Sequence, residues 1–204
     1  MWKHCEKQLS RHRAALALLL LETLVFFHSL LFSSQWTIPW DFQGYHFPLF
    51  SFVAHTLNEG RMPWWDPFTN GGNPFYANPQ TQLFYPPAWP FYLASHWIPE
   101  PRWAELYKWL PVLHVWLGGY FAWRLGRAVG LGGAASFAAG TVFAFGAFFP
   151  SQLQHVGAVC AAAWLPLAWE AAMRRRPALL ALALGMSLLA GFPAMAIVVW
   201  GSTL

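Results

Sequence analysis

Long apolar runs, separated by short charged segments, dominate the pattern of hydrophobic and polar positions in this chain. A helix that crosses a bilayer needs about 20 predominantly apolar residues. Five runs approach this length and predict five transmembrane helices, over residues 14–32, 107–123, 131–149, 156–173 and 178–200. The last run contains Gly191, Phe192 and Pro193. Because proline cannot donate the backbone hydrogen bond that continues a helix, we expect a kink or break there.

The basic residues predict how these helices are oriented. Lys and Arg are concentrated on the cytoplasmic side of membrane proteins. Nine of the twelve lie in three groups, before the first run, between the second and third, and between the fourth and fifth: Lys3, Lys7, Arg11, Arg13, Arg124, Arg127, Arg174, Arg175 and Arg176. Placing all three groups inside predicts one transmembrane module over residues 1–204. Residues 1–13 are then cytoplasmic, and residues 33–106 form a large extracytoplasmic loop.

Composition agrees with this class. The chain is 57% hydrophobic and 10% charged, whereas an ordinary soluble domain is about 25% charged. Its 14 Trp and 18 Phe residues suit a protein that meets the bilayer interface repeatedly. The net charge of +4 does not predict nucleic-acid binding, because the basic residues form short patches beside apolar runs and no stripe on a polar face. We therefore predict an all-α polytopic membrane protein.

The first run starts like a secretory signal peptide, but it is long, contains Glu22 and lacks a clear cleavage site after it. An uncleaved anchor is favoured over a cleaved signal. A carboxylate in lipid is costly, so Glu22 should face other helices and form a structural hydrogen bond.

Cys5 and Cys160 fall in different compartments and should not pair. CxxC, HExxH and P-loop motifs are absent, which argues against a zinc or nucleotide enzyme of the soluble type. A divalent metal ion held by loop carboxylates stays possible.

The outer loop has two parts. Residues 48–59 predict a short amphipathic helix, with proline in its first turn and Gly60 at its end. This helix either lies in the membrane interface or packs on the ends of the spans. Residues 61–87 are rich in Pro, Asn and Gly, and predict a fixed irregular loop. Its aromatic residues should mainly stabilise the loop instead of contacting sugar or lipid directly: Trp64, Trp65, Phe75 and Tyr85.

Several motifs in the loop resemble one known family. Asp41 follows the first apolar run, and after it come E-G-R-M-P-W-W-D-P, G-G-N-P-F-Y-A-N-P-Q and Y-P-P. Further on stand F-A-F-G-A-F-F-P-S-Q-L-Q-H, L-P-L-A-W-E and L-A-G-F-P. Together they resemble the bacterial YfhO-like membrane proteins of the GT-C glycosyltransferase superfamily. Phe192 departs from that pattern, in which a polar residue is typical.

The resemblance implies an enzyme of the bacterial cytoplasmic membrane. It would transfer a sugar from a polyprenyl-phosphate donor, embedded in the membrane lipid, to a cell-surface glycan or protein acceptor on the extracytoplasmic face. Such proteins are longer, with ten or more spans, so the chain is expected to be a GT-C-like N-terminal module; a complete five-helix protein is the alternative. Asp41 matches the loop Asp that these enzymes use as general base or metal ligand. Its other possible roles are an interfacial helix cap and an ion-pair partner.

The transfer also requires groups that stabilise the leaving phosphate and bind the sugar. Arg61 and His155 are the candidates for the phosphate, because both are outer cations near the matching motifs. The candidates for substrate binding are His46, Asp66, Asn78 and Gln80. Asp before proline is also a common turn former, and the two amides could equally brace the loop.

A lipid or polysaccharide transporter, or a non-catalytic membrane scaffold, is the alternative function. A transporter places charged residues and broken helices near the middle of the bilayer. Here, apart from Glu22 and the glycine-rich fifth run, the notable polar residues gather at the outer face. This placement favours an interfacial enzyme.

Overall fold

A computed structural model describes the backbone of residues 2–203 and the side chains of Glu6 and residues 10–203. The side chains of Lys3, Cys5 and Lys7 lie outside the described residues. The chain is mostly helical, with 73% of it in helices. The first apolar run lies in helix α1, Trp2–Phe26, and in the short helix α2, His28–Phe32.

The outer loop contains five short elements besides single 3-10 turns. In chain order they are a π-helical turn at Phe42–His46, α3 at Phe47–Asn58, a two-stranded antiparallel ladder of β1 (Trp65–Asp66) and β2 (Asn73–Pro74), α4 at Trp89–Ala94 and α5 at Trp103–Tyr107. The predicted helix at residues 48–59 is thus confirmed, one residue earlier at each end. Its buried face, which includes Phe50 and Val53, packs against α4 and α5 within the loop.

The second half of the chain is a helical bundle. Its helices are α6 (Trp109–Ala128), α7 (Gly133–Phe145), α8 (Phe148–Gln152), α9 (Val156–Ala162), α10 (Leu165–Met173), α11 (Pro177–Leu189) and α12 (Pro193–Gly201). The break predicted near Gly191 is confirmed between α11 and α12. The third and fourth apolar runs are each divided as well, into α7 with α8 and α9 with α10.

Proline explains where these interruptions fall. A proline ring clashes with the carbonyl group four residues earlier, so a regular helix ends there. Pro166 stands four residues after Ala162, the last residue of α9, and Pro193 stands four residues after Leu189, the last of α11. Pro150 has the same relation to Gly146, which directly follows α7. The interruptions are therefore encoded locally.

Helices α1, α6 and α7 pack closely. A Cβ atom on Gly119 of α6 would lie 3.2 Å from the carbonyl oxygen of Gly140 on α7. Small residues of this kind let helix backbones approach one another. Glu22 on α1 faces α7, where the hydroxyl group of Thr141 donates a 2.9 Å hydrogen bond to its carboxylate. Glu22 thus has the interhelical, structural contact expected of it.

The outside of the bundle is apolar. Leu21 and Val25 on α1, Val142 on α7 and Ile197 on α12 are each more than half exposed. By length and composition, two helical stretches of the described chain could cross a membrane, Gly133–Gln152 and Val156–Met173. In the first only 22% of the apolar window is buried, unlike the core helix of a soluble protein. These features indicate membrane association.

The two ends of the bundle differ in charge. The cavity at one end is lined by Arg11, Arg124, Arg127, Arg174 and Arg176, so the three basic groups meet there. His155 stands immediately before α9, at the start of the 18-residue stretch Val156–Met173, and at 1.5 Å per residue this stretch is about 27 Å long. His155 and the outer loop therefore lie at the opposite end from the basic groups.

Candidate functional site

The backbone around Asp41 is unusual on both sides. Trp40, directly before it, has a φ of +55°, a region that residues other than glycine rarely adopt. The π-helical turn follows directly, and the amide of Phe47 bonds to the carbonyl of Phe42, five residues back. π-Turns and strained residues are frequent at functional sites. Among the described residues, Asp41 finds no capping hydrogen bond for its side chain, so its carboxylate is available for other contacts.

Asp41 contacts His155, which is more than 110 residues away in sequence. His155 Nε2 lies 3.3 Å from Asp41 Oδ2, and the His155 side chain is 30% exposed, against 58% for Asp41. On the other edge of the ring, Nδ1 lies 2.8 Å from Gln152 Oε1. An amide oxygen only accepts, so this contact is a hydrogen bond in the forms of the ring in which Nδ1 carries a proton. The ring therefore donates to both neighbours when it is protonated.

His46 is the third ionisable group of this cluster. Its side chain is 1% exposed, and its Nδ1 atom has no hydrogen-bond partner within the described chain. Burial lowers the pKa of His46 to about 4; the carboxylate of Asp41 opposes this shift and the nearby His155 adds to it. His46 is therefore neutral at physiological pH, and it lies beneath the surface next to Asp41 and is not exposed on it.

Asn78 connects the irregular loop to the π-helical turn. Its Nδ2 donates a 2.9 Å hydrogen bond to the hydroxyl of Tyr45, whose ring makes an edge contact with His46. Its Oδ1 accepts from the backbone amide of Gln80 at 3.0 Å. Both polar ends of Asn78 therefore brace the loop, as one of its two predicted roles requires.

The loop also packs on the break between α11 and α12. Gly191 has a φ of +90°, and a Cβ atom there would overlap the carbonyl oxygen of Pro79 and lie 3.1 Å from Gln80 Cα. Gln82 Nε2 donates a 2.9 Å hydrogen bond to the carbonyl of Ala190. Gln80 is thus next to this junction. Phe192 directly follows Gly191 in the chain, and the centroid of its ring lies 6.4 Å from that of the His155 ring.

A small cleft lies beside the Asp41–His155 pair. Its volume is about 180 Å³, and its lining includes Trp40 and Gln154, the residues directly before Asp41 and His155. Leu30 and Ile38 contribute apolar surface to the same cleft. The pair therefore stands next to a largely apolar recess at the end of the first helix.

Arg61 and Asp66 lie apart from this cluster. Arg61 is exposed and ion-pairs with Glu59, just beyond the C-terminus of α3. The twelve residues of α3 correspond to roughly 18 Å, and they separate Arg61 from His46 at the other end. Asp66 is buried, and its Oδ1 accepts a 2.8 Å hydrogen bond from the amide of Phe68. This is the turn-forming role that Asp before proline commonly has.

No group of three or more His, Cys, Asp or Glu side chains within the described residues is arranged to hold a metal ion. Asp41, His46 and His155 are close neighbours, yet they do not form such a group. The ligand set for a divalent ion thus stays a sequence-based possibility.

Three participants escaped the sequence analysis. Tyr45 accepts a hydrogen bond from Asn78, and Gln152 contacts the ring of His155. Only Gln152 stands in a quoted motif. Lys108 stands directly before α6 and is 1% exposed. It ion-pairs with Glu105 and donates to the carbonyl of Ser33 at 3.3 Å. No periodic pattern in the sequence signals such a loop-to-helix contact.

These contacts define a candidate site of Asp41, His46 and His155, braced by Asn78 and the turn at Gln80. Comparison with known proteins adds nothing to this geometry, since no protein-family model, curated protein or solved structure matches the chain.

Proposed function

We propose that this chain forms part of a membrane glycosyltransferase of the YfhO-like GT-C type. It would act in the bacterial cytoplasmic membrane, with its N-terminus in the cytoplasm. The sugar would pass from a polyprenyl-phosphate donor to a surface glycan or protein. The observation that supports this proposal is the contact between the half-exposed carboxylate of Asp41 and the ring of His155, 3.3 Å apart.

The pair can serve both needs of an inverting transfer. As the acceptor oxygen attacks the anomeric carbon, its proton passes to Asp41, which acts as general base. The bond between that carbon and the phosphate oxygen breaks on the opposite face of the sugar, and the phosphate leaves with the bonding electron pair. Protonated His155, held against Asp41 through Nε2, supplies positive charge that stabilises the leaving phosphate. The proton on Asp41 is then released to water, which restores the carboxylate.

The surroundings of the pair support this division of roles. Because His46 is neutral, it adds no positive charge next to Asp41 and does not offset the negative charge of that carboxylate. Gln152 fixes the orientation of His155 through Nδ1, which leaves Nε2 directed at Asp41. The apolar cleft at Trp40 and Gln154 is a suitable place for the isoprenoid end of a donor that arrives from the bilayer.

The test is sugar transfer from radiolabelled polyprenyl-phosphate donors in membranes that contain the full chain. Removing a general base typically lowers the rate by about 10²–10⁴-fold, and we expect Asp41→Asn to fall in this range. Glu59→Gln is the matched control, because it removes an exposed carboxylate of the same loop at the far end of α3. Equal transfer by wild type and Asp41→Asn would exclude Asp41 as the base.

The break between α11 and α12 favours the alternative, a transporter or scaffold, since discontinuous helices form substrate sites in transporters. The same assay separates the two functions. Absence of transfer by the wild-type protein with several donors would support the alternative.

A further inference from the structure

The basic end of the bundle contains a cavity of about 330 Å³ between the first half of α1, the end of α6 and the end of α10 with the segment after it. It is opposite the candidate active site and shares none of its residues. Its charged lining consists of Arg11, Arg124, Arg127, Arg174, Arg176 and Glu170. Five guanidinium groups from three parts of the chain thus face one space.

A single carboxylate partly neutralises this charge. Glu170 is 3% exposed; one of its oxygens lies 2.9 Å from Arg124 Nε and the other 3.5 Å from Arg174 Nε. Among the described residues, no other carboxylate lines the cavity. Arg11, Arg127 and Arg176 therefore add an excess of positive charge, and Glu170 fixes the other two guanidinium groups in place.

The pKa of His12 is affected by the same positive charges. Its Nδ1 lies 2.9 Å from the hydroxyl of Tyr120, and its ring packs edge-on against Trp123 at 4.9 Å. Burial lowers the pKa of His12, and the charge of Arg124 lowers it further. Arg127 and Arg174 act in the same direction, and only Glu170 opposes them.

An apolar groove adjoins this cavity. Its volume is about 560 Å³, and it shares Arg11, Trp123 and Arg127 with the basic cavity. The remaining lining is apolar or small, from α1 and α7, and includes Leu18, Ala134 and Phe137. The basic cavity and the groove together therefore form a site with a cationic end and an apolar channel that opens along the outside of the bundle.

We propose that the basic cavity and its groove bind one anionic phospholipid, with the phosphate between the guanidinium groups and an acyl chain in the groove. Arginine forks match phosphate oxygens in pairs. Basic pockets between membrane helices on the cytoplasmic side are suited to such headgroups. The site is independent of the proposed transferase activity.

The test uses the full chain, purified in a neutral detergent and titrated with dioleoyl phosphatidylglycerol or dioleoyl phosphatidylcholine, with bound lipid counted by native mass spectrometry. We expect phosphatidylglycerol to bind at least tenfold more tightly. Arg11→Gln combined with Arg176→Gln should weaken it roughly thirty-fold, about fivefold for each charge. Arg175→Gln is the matched control, because Arg175 neighbours Arg176 in sequence but does not line the cavity.

A second variant tests the groove and identifies the source of the phosphate. Ala134→Trp should fill the groove and abolish lipid binding, while direct binding of inorganic phosphate to the basic cavity, measured by isothermal titration calorimetry, stays the same as in the wild type. Equal binding of the two lipids, or wild-type binding by the double variant, would overturn the proposal. Tight binding of inorganic phosphate, with lipid binding unaffected by Ala134→Trp, would also overturn it and identify a free phosphate as the ligand.

Discussion

Gly191→Ala should detach the outer loop from the bundle. Gly191 has a φ of +90°, and its α-carbon faces the backbone of Pro79 and Gln80. The carbonyl of Pro79 already accepts a 3.1 Å hydrogen bond from the amide of Gln82. A methyl group at residue 191 would occupy the position of that carbonyl oxygen, so the turn must move away.

Two energetic costs determine how much Gly191→Ala destabilises the fold. A residue with a Cβ atom in the left-handed region costs about 1–2 kcal/mol. Overpacking a closely fitted contact adds about 1–3 kcal/mol. The sum, about 2–5 kcal/mol, is the expected loss in the free energy of unfolding, and the overpacking part alone raises the population of the undocked loop roughly 5- to 150-fold.

Hydrogen–deuterium exchange of the amides of Gln80, Thr81 and Gln82 measures this opening directly. Moving the turn away relieves only the overpacking, so we expect their exchange to accelerate roughly 5- to 150-fold in Gly191→Ala. Gly130→Ala separates the two costs: Gly130 has the same φ of +90°, but no described heavy atom lies within 4 Å of its added Cβ. It should incur the conformational cost alone and leave loop exchange unchanged.

Gly185→Ala is the second control. It lies inside α11, and no described heavy atom surrounds its Cβ position within 4 Å. Alanine should stabilise that helix by about 0.5–1 kcal/mol. If the loop amides of Gly191→Ala exchanged with deuterium at the wild-type rate, docking of the loop on the α11–α12 break would be refuted.

Two further predictions concern buried polar groups. The pKa of His46 is about 4 in the folded chain and 6.5 ordinarily, so the unfolded state takes up the proton first. Stability should be constant above pH 6.5 and fall by about 3 kcal/mol as the pH drops to 4. His46→Gln should flatten that part of the profile in denaturant titrations, and an unchanged slope would contradict the assignment. Tyr85→Phe should lower stability by about 2–4 kcal/mol, because Tyr85 bonds to Trp164 Nε1 at 2.9 Å and His114 Nε2 at 2.5 Å. Tyr76→Phe, at an exposed tyrosine, is the control. Thermal unfolding of the two variants in parallel should show a lower midpoint only for Tyr85→Phe.

Hydropathy predicted the location of the helices but not their interruptions. A window of about 20 residues averages over a proline, so two continuous spans were expected where the structure has α7 with α8 and α9 with α10. The information was present locally. Pro150 and Pro166 each mark an interruption four residues earlier, by the same clash that correctly predicted the break before Pro193.

The candidate site was predictable only in part. Asp41 and His155 were both selected by family resemblance, and they do lie in contact. Arg61 was selected partly for its nearness in sequence, but the rigid helix α3 carries it away from Asp41. The π-helical turn that brings Asp41 and His46 together leaves no periodic signal. Contacts such as Gln82 with Ala190, 108 residues apart, depend on the assembled fold.

That last contact also determines when the site can form. Ribosomes add roughly 5–20 residues per second, so the loop emerges about 5–20 s before the 108-residue interval to its anchor at Ala190 has been made. Throughout that time the turn at Pro79–Thr81 has no docking surface, and during the first part of it Asp41 also lacks His155. The loop beside the candidate site is therefore anchored late in membrane insertion, only after the break between α11 and α12 has been made.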